Sequence, residues 1–272
     1  MRRAVPLLSV TANGRQIAYR VAGNGDPILL INGTGESGAT WDGQMQRLAS
    51  RWKCVAIDNR DSGDSTYVDG AYTPADMARD AAGVIDALAL GPCHVVGYSL
   101  GGATAQELAL ARPDVVRSLV LLSTWARSDA WFAGQMRNWQ AIRRAHVDDE
   151  RAFLTALEPW LFAPATFAER ARIEEIWRHA GEIETPQKPE GWIRQCDADI
   201  AHDAAARLGD VRAPALVIVG ADDICTPPRY SAELCALLPD ARLVTIENTA
   251  HCAVFEDPGA VAGAIEDFLA HV

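Results

Sequence analysis

Residues 93–102 decide the fold, and they read Cys93-His94-Val95-Val96-Gly97-Tyr98-Ser99-Leu100-Gly101-Gly102. The apolar run at 93–96 is typical of a buried strand, and a helical pattern follows at 103–111. Between them lies GxSxG, in which small residues flank a serine on a sharp turn from strand to helix. A helix that begins there directs its first amides towards negative charge that develops beside Ser99. This context predicts a nucleophile elbow. The simpler alternative is a glycine-rich turn with a capping serine.

Outward from this turn, short apolar runs alternate with helical stretches. Runs of buried-strand length occupy residues 28–32, 53–58, 93–98, 118–123, 215–220 and 242–246. Asn13-Gly14, between residues 7–11 and 16–21, predicts an antiparallel hairpin at the start. Residues 74–90 fit a helix with Thr73 as its cap and Pro74 in its first turn, and residues 99–111 and 260–271 look similar. The alternation predicts an α/β fold with an open, mostly parallel sheet and helices on both faces.

The alternation breaks between about Trp125 and Asp210. This stretch contains no convincing strand, has a helical pattern over residues 167–179 and holds six of the eight tryptophans. Residues 185–189 predict a loop within it. We therefore expect a core domain made of residues 1–124 and 211–272, with residues 125–210 forming a helical cap placed over the sheet.

Composition and charge limit the classes of function. The 272 residues include 36 Asp and Glu against 25 Lys and Arg, and the net charge of −11 repels phosphate backbones. The longest apolar runs fall well short of the ~20 residues that cross a bilayer. The six cysteines are scattered with no CxxC pair, which favours a reduced, cytoplasmic setting. We expect neither nucleic acid nor membrane as a partner, and a homodimer is compatible with the sequence.

Two further motifs follow late apolar runs. Residues 220–227 read GADDICTP, and a carboxylate there can orient a histidine, with Asp222 and Asp223 both candidates. His251, in the TAHC segment at 249–252, lies in a loop after a late strand, where a general base would meet the elbow. The chain order serine, acid, histidine is that of one hydrolase fold and differs from the chymotrypsin and subtilisin orders. The alternative for Asp222 and Asp223 is that both are solvated acids of a turn. The alternative for His251 is a purely structural role.

A competing motif occurs earlier in the chain. Residues 33–38 read GTGESG, a formal GxGxxG after an apolar run, and Asp58 follows 20 residues beyond Gly38, as in a dinucleotide-binding fold. Three observations argue against a dinucleotide site. Two predicted strands precede the motif, and neither Lys53 nor Lys188 can form a YxxxK pair. A dinucleotide site would also leave the serine, the acid and the histidine unexplained. The same loop has a second use, because its backbone N–H groups can supply half of an oxyanion hole.

Together these motifs resemble the α/β-hydrolase fold family over essentially the whole chain. GYSLGG is similar to the family's elbow, residues 220–227 to its GxxDxxxP acid loop, and residues 58–65 (DNRDSGDS) to its DxRGxGxS loop. Asp61 stands where that last pattern has glycine. Residues 31–35 (INGTG) lack the usual His-Gly pair, and their asparagine is more similar to the Ser-Asn-Ser-Leu-Gly loop of 3-oxoadipate enol-lactonases and related esterases.

The resemblance implies an eight-stranded sheet with a helical cap, and a serine hydrolase that cleaves a carboxylic ester or lactone. It makes Ser99 the nucleophile, His251 the base and Asp223, rather than Asp222, the acid. It assigns the oxyanion hole to the backbone N–H groups of Thr34 and Leu100. Neither a cofactor nor a metal is needed for this chemistry.

The substrate is expected to be small and largely hydrophobic. We expect Asn32 and Gly33 in the early loop, with Trp125 and Trp131 just after the sixth strand, to line its pocket. Each tryptophan taken singly is at least as typical of a core residue. The family also includes ligand receptors or signalling proteins with little turnover, carbon-carbon hydrolases, lyases and perhydrolases, and the sequence leaves these alternatives open.

Overall fold

The computed structural model describes residues 7–183 and 186–272, and for residues 179–183 it describes the backbone alone. Thr185, the first residue of the loop expected at 185–189, lies outside the described residues. The strands of the described chain are β1 (Leu7–Ala12), β2 (Arg15–Ala22), β3 (Asp26–Ile31), β4 (Trp52–Ile57), β5 (Cys93–Tyr98), β6 (Val116–Leu122), β7 (Ala215–Gly220) and β8 (Ala241–Ile246).

Helices fill the connections between these strands. Short 3-10 helices occupy Gly38–Trp41 and Ala205–Asp210. The α-helices are α1 (Asp42–Leu48), α2 (Pro74–Ala87), α3 (Leu100–Ala111), α4 (Ala130–Ala145), α5 (Glu150–Leu161), α6 (Pro164–Ala168), α7 (Arg170–Ile183), α8 (Pro189–Ala201), α9 (Pro228–Leu237), α10 (Ala253–Glu256) and α11 (Pro258–Leu269).

All eight strands form one mostly parallel sheet in the order β1-β2-β4-β3-β5-β6-β7-β8. The predicted hairpin pairs β1 with β2, and β2 pairs antiparallel with β4, whereas every pairing from β4 to β8 is parallel. Parallel strands end at the same edge of a sheet, so the loops after β3, β5, β7 and β8 emerge together there. The expected α/β fold is confirmed.

Two apolar layers cover the sheet because successive side chains of each strand point to opposite faces. In β3, Leu29 and Ile31 pack towards α2 and α3, and Ile28 and Leu30 pack towards α1 and α11. All four side chains are fully buried. Central strands buried on both faces explain why their sequences are continuous apolar runs and do not alternate.

Local signals set the helix boundaries. Thr73 caps α2 through a reciprocal capping box with Asp76, and Pro74 occupies the first turn, where its missing N–H costs nothing. The helix ends at Ala87, three residues before the expected end at Leu90, because Ala89 adopts a positive φ of 49° that breaks the helical path.

Helices α4 to α8 occupy the chain between β6 and β7. Within residues 125–183 and 186–210 the β structure is limited to an isolated bridge between Arg127 and Asp203. An aromatic cluster contributed by α4, α5 and α8, which includes Phe132, Trp139 and Phe153, joins these helices to each other. Side chains of α4, α5, α7 and α8 also line a cavity at this side of the molecule.

Each of the six cysteines lies in the described part of the chain and carries a free thiol. None of the helices within residues 7–183 and 186–272 combines the length and apolar character that a bilayer crossing needs.

Candidate active site

The turn between β5 and α3 presents Ser99 at the carboxyl edge of the sheet. Ser99 has a φ of 53° and a ψ of −119°, a conformation that L-residues rarely adopt and that aims its side chain out of the turn. A Cβ built on Gly101 would lie 2.1 Å from the carbonyl oxygen of Ile31, so only glycine lets α3 approach β3 so closely. The GxSxG pattern therefore has a steric cause in this fold.

His251 joins Ser99 to Asp223, although the three residues follow different strands. The Nε2 atom of His251 lies 3.1 Å from Ser99 Oγ, and its Nδ1 atom lies 3.0 Å from Asp223 Oδ2. All three side chains are buried. The hydrogen bonds assign the ring proton to Nδ1, which donates to Asp223 and leaves Nε2 to accept the hydroxyl proton. The structure thus brings together the three predicted catalytic residues in one chain of hydrogen bonds.

The loop after β7 places its two candidate aspartates in different surroundings. Asp222 is exposed, whereas the Asp223 carboxylate accepts backbone N–H bonds from Cys225 and Thr226, both at 2.8 Å, as well as the contact from His251. Thr226 Oγ1 donates to Asp223 Oδ2 at 2.8 Å and lies 3.1 Å from His251 Nδ1. Fixed in this way, the Asp223 carboxylate holds the imidazole in one orientation.

The two predicted oxyanion donors, Thr34 and Leu100, belong to the two segments that adjoin Ser99. Leu100 is the first residue of α3, and a helix leaves its first amides without an intrahelical acceptor. Thr34 lies in the loop after β3, beside Gly33, whose added Cβ would contact Ser99 Cβ at 3.1 Å. The N–H of Gly33 itself donates to Glu36 Oε2 at 3.2 Å. Both loops that could bind a developing negative charge therefore adjoin the hydroxyl.

A cavity of about 150 Å³ opens over Ser99 and His251. The early loop, residues 32–37 after β3, forms one side of it, and the opposite walls are apolar side chains of α4, α5, α7, α8 and α10. The aromatic and aliphatic walls are Leu154, Leu157, Leu161, Trp177, Trp192, Trp139 and Phe255. Two carboxylates, Glu36 and Glu150, also line it. An apolar cavity of this volume is large enough to hold benzene, so it matches a small hydrophobic group.

Three of the predicted pocket residues are placed elsewhere. Trp125 is fully buried beneath α4, where its ring centroid lies 4.2 Å from that of Phe132. Trp131 is 45% exposed on the outside of α4 and stacks under the Arg229 guanidinium. The prediction that these two tryptophans line the pocket is wrong, because Trp125 precedes α4 and Trp131 faces solvent on that helix.

Asn32 is the third residue that the structure places outside the cavity. It is fully buried under the early loop, its side-chain amide donates to the Glu36 carbonyl, and its own carbonyl accepts from Asn59 Nδ2 at 2.9 Å. Asn32 thus shapes the loop from beneath and does not line the cavity, whereas its neighbour Gly33 does, as predicted.

The geometry also accounts for the GxGxxG motif. Asp58 Oδ1 accepts the Gly38 amide at 2.7 Å, and Oδ2 accepts the Asp64 amide at 2.9 Å. Both oxygens of this buried carboxylate are therefore engaged in joining two loops of the protein. A ribose hydroxyl would have to displace these bonds, so the motif serves loop structure here.

Several side chains at the site carry no recognisable sequence signal. Trp139, Trp177 and Trp192 line the cavity, but the sequence shows only that the stretch is rich in tryptophan. Thr226 contacts both Asp223 and His251, and its position three residues after Asp223 is the only hint in the sequence. Burial raises the pKa of Tyr98 and of Cys252, whose hydroxyl and thiol lie 3.6 Å apart.

Comparison with known proteins gives consistent results. The chain is 32% identical over 235 residues to RutD of Azorhizobium caulinodans, named a carbamate hydrolase, covering 86% of this chain and 87% of that protein. A thermophilic esterase from Thermogutta terrifontis superposes with a TM-score of 0.86 at 25% identity and 98% coverage of both chains. The enol-lactonase from Burkholderia xenovorans superposes with a TM-score of 0.83 at 26% identity, covering 97% of this chain and 100% of that one.

The sequence profile of the family described as alpha/beta hydrolase fold matches residues 26–258, which include Ser99, Asp223 and His251. This match spans most of the chain and agrees with the sheet order and with the loops that carry these three side chains. The chain belongs to the alpha/beta hydrolase fold family.

Proposed function

We propose that this protein is a serine hydrolase that cleaves a small, largely hydrophobic carboxylic ester or lactone through an acyl-enzyme. The observation that carries the proposal is the pair of contacts of His251, 3.1 Å from Ser99 Oγ and 3.0 Å from Asp223 Oδ2, at the floor of an apolar cavity. A serine hydroxyl becomes a strong nucleophile only when an adjacent base takes its proton.

In the first half of the reaction, His251 Nε2 takes the Ser99 proton while Oγ bonds to the carbonyl carbon of the substrate. The carbonyl oxygen becomes an oxyanion, which the N–H groups of Thr34 and Leu100 stabilise. As the oxyanion reforms the carbonyl, the bond to the leaving alkoxide breaks and Nε2 returns the proton to it. Asp223 stabilises the imidazolium through Nδ1–H in the meantime.

The second half repeats these steps with water in place of the serine. His251 takes a proton from water, the hydroxide bonds to the acyl carbon, and the Ser99 ester bond breaks with return of the proton to Oγ. In a lactone the leaving alkoxide belongs to the acyl group itself, so the product is a single hydroxy acid.

A panel of p-nitrophenyl esters and lactones tests the proposal, with Ser99→Ala as the control. We expect turnover that falls by several orders of magnitude in that variant, and labelling by a fluorophosphonate probe that mass mapping places on Ser99. Binding of panel compounds without turnover would indicate a ligand receptor instead, and labelling of another residue would refute the assignment of the nucleophile.

A carbamate is the second candidate substrate, because the related RutD protein is named a carbamate hydrolase. The same machinery attacks a carbamate carbonyl, which is less electrophilic than that of an ester. Adding p-nitrophenyl carbamates to the panel separates the two. Higher kcat/KM for a carbamate than for its ester analogue would favour that class. We further propose that the protein works in a reducing compartment such as the cytoplasm, in keeping with its six free thiols.

A further inference from the structure

Helix α8 of the cap contacts the loop that carries one proposed oxyanion donor. Thr34 Oγ1 donates to Asp199 Oδ2 at 2.7 Å, and the Gly35 amide donates to Gln195 Oε1 at 2.8 Å. Gln195 and Asp199 are four residues apart and hence share one face of the helix. Both side chains are buried. One face of α8 therefore holds two consecutive residues of the loop.

Trp192 adds a steric contact from the same helix. A Cβ built on Gly35, whose φ is +83°, would lie 2.0 Å from Cζ3 of Trp192. Only glycine fits between the loop backbone and the indole ring, so the two surfaces are in close contact. Trp192 precedes Gln195 by three residues and extends the same helix face along the loop.

The helix is itself fixed to the core at Asp61. Arg194 donates to both oxygens of the Asp61 carboxylate, at 2.6 Å and 3.0 Å, and Gln187 Nε2 donates to the Asp61 carbonyl at 2.6 Å. Asp61 is fully buried and has a φ of 63°. An aspartate is retained in this conformation, where the family pattern has glycine, and its carboxylate ties the core to α8. Gln195 Nε2 strengthens the tie by donating to the Arg60 carbonyl at 3.1 Å.

We propose, on the basis of the proposed function, that Gln195 and Asp199 are positioning residues that hold the Thr34 N–H where it can bind the oxyanion formed at Ser99. The C-terminal end of the loop is held by the core, because Asn32 and Ser62 donate to the Glu36 carbonyl. The middle of the loop, at Thr34 and Gly35, is held by α8. Since a misplacement of about 1 Å can cost about 10²-fold in rate, loss of either cap contact lowers kcat more than substrate affinity.

The state of the Asp199 carboxyl suggests a conservative substitution. Burial raises its pKa to about 8, so the group is neutral at pH 7. Asparagine has the same shape, is neutral, and keeps an acceptor for the Thr34 hydroxyl. Asp199→Asn is therefore expected to preserve the contact that Asp199→Ala removes.

Steady-state kinetics on a p-nitrophenyl ester test the proposal in the 272-residue chain. For Gln195→Leu and Asp199→Ala we expect kcat to fall by about 10- to 100-fold with KM changed by less than about threefold. Asp199→Asn should stay near wild type. The matched control is Asp197→Asn on the same helix, because Asp197 is exposed and accepts from Gln140 Nε2 within the cap.

A double variant tests whether the contact acts through Thr34. If the hydrogen bond is the cause, Thr34→Val combined with Asp199→Ala is no slower than the slower single variant, because both remove one interaction. Additive losses would overturn the proposal. A rise in KM with kcat unchanged in Gln195→Leu and Asp199→Ala would also overturn the proposal, since α8 would then be only a wall of the pocket.

Hydrogen exchange separates this proposal from the proposed function, because it needs no turnover. The Gly35 amide should exchange faster in Gln195→Leu than in wild type and be unaffected in Asp197→Asn. Faster exchange in a protein that hydrolyses no ester would support the role of α8 while refuting the proposed reaction. Unchanged exchange would refute the role of α8 even in an active esterase.

Discussion

At the scale of single residues, Asp223 and its neighbour Asp222 provide a matched pair. Of the two, only Asp223 contacts His251. Replacing the Asp223 carboxylate by an amide disrupts the acceptor that fixes the Nδ1–H tautomer of His251. We expect Asp223→Asn to lower kcat for ester hydrolysis by about 10³- to 10⁴-fold, and Asp222→Asn, on an exposed side chain, to change it by less than about twofold. An inactive Asp222→Asn with an active Asp223→Asn would transfer the role of the acid to Asp222.

Asp199 makes a separate prediction about stability and pH. The folded protein raises the pKa of this carboxyl from 3.8 to about 8 through burial, so the folded chain holds the proton more tightly than the unfolded chain. Its contribution to stability is thus fully present below about pH 4, is lost as the pH rises towards about 8, and is constant above that. The nearby thiols of Cys196 and Cys225 stay neutral over this range, because burial raises their pKa as well.

Asp199→Asn removes this dependence because an amide has no proton to lose. The free energy of unfolding of the variant, relative to wild type, should therefore increase between pH 5 and pH 8, as measured by urea denaturation at both values. The exposed Asp197→Asn serves as the control, for which no such change is expected. A difference between Asp199→Asn and wild type that stays constant with pH would contradict the raised pKa.

Individual residues also show the limit of prediction from the sequence. Ser99, Asp223 and His251 could be singled out because each lies in a short pattern directly after a predicted strand, and strand ends fix positions in this fold. Trp125 and Trp131 could not be placed, because the rotation of a helix about its axis depends on packing with residues distant in the sequence. Trp192, for example, meets Trp139 and Phe153, which belong to other helices.

At the scale of elements, the anchor of α8 yields a prediction about paired charges. Arg194→Met leaves the fully buried Asp61 carboxylate without its guanidinium, and a buried charge without its partner costs about 3–5 kcal/mol. Adding Asp61→Gly removes that charge and suits the φ of 63° at this position. We expect the double variant to regain most of the stability that Arg194→Met loses, measured as the midpoint of chemical denaturation.

The same pair of variants separates the two roles of the ion pair. If Arg194 acts on catalysis by holding α8, the double variant should regain stability without regaining kcat. Full recovery of both would mean that the single variant is impaired only by its unpaired charge. Asp61→Gly alone should fold, since the family pattern has glycine there and the left-handed backbone no longer carries a side chain.

Regular elements were predictable to different degrees. The strands at residues 93–98 and 215–220 match β5 and β7, since buried parallel strands have apolar runs with clear ends. Residues 118–123 miss the first part of β6, which begins at Val116, because the exposed Arg117 interrupts its apolar run. The number of helices between β6 and β7 was not predictable, because breaks such as that at Glu169 between α6 and α7 have weak sequence signals.

At the scale of the whole molecule, chain order and sheet order together assemble the site. Ser99 follows β5, Asp223 follows β7 and His251 follows β8, three parallel strands of one half of the sheet. The order of the three residues could be read from the sequence, whereas the exchange of β3 and β4 in the sheet order is a long-range pairing without a local signal. The convergence of the three side chains is thus a property of the topology.

Charge at the molecular scale predicts how the enzyme selects substrates. The net charge is −11, and the cavity lining includes Glu36 and Glu150 but no lysine or arginine among the described residues. Arg143 lies 2.9 Å from Glu150 and offsets its charge. Glu36 lies on the early loop and lines the cavity together with Ser99. At an effective dielectric of about 20, two unit charges about 6 Å apart interact by roughly 3 kcal/mol. An anionic ester is therefore repelled both on approach and on binding.

We expect 4-acetoxybenzoate to be hydrolysed with a kcat/KM at least about tenfold below those of phenyl acetate and methyl 4-acetoxybenzoate, two neutral esters whose leaving groups bracket its reactivity. Salt should narrow this gap, since the Debye length shrinks from about 30 Å at 0.01 M to about 10 Å at 0.1 M. Glu36→Gln removes this charge while its amide oxygen still accepts the Gly33 N–H, so it should raise kcat/KM for 4-acetoxybenzoate by about tenfold and leave that for the two neutral esters unchanged. The control Asp267→Asn, on an exposed residue of α11, should change kcat/KM for none of the three esters. Equal rates for all three esters at low salt would mean that the cavity charge does not reach the reacting carbonyl, and selection would then rest on shape and apolar contact.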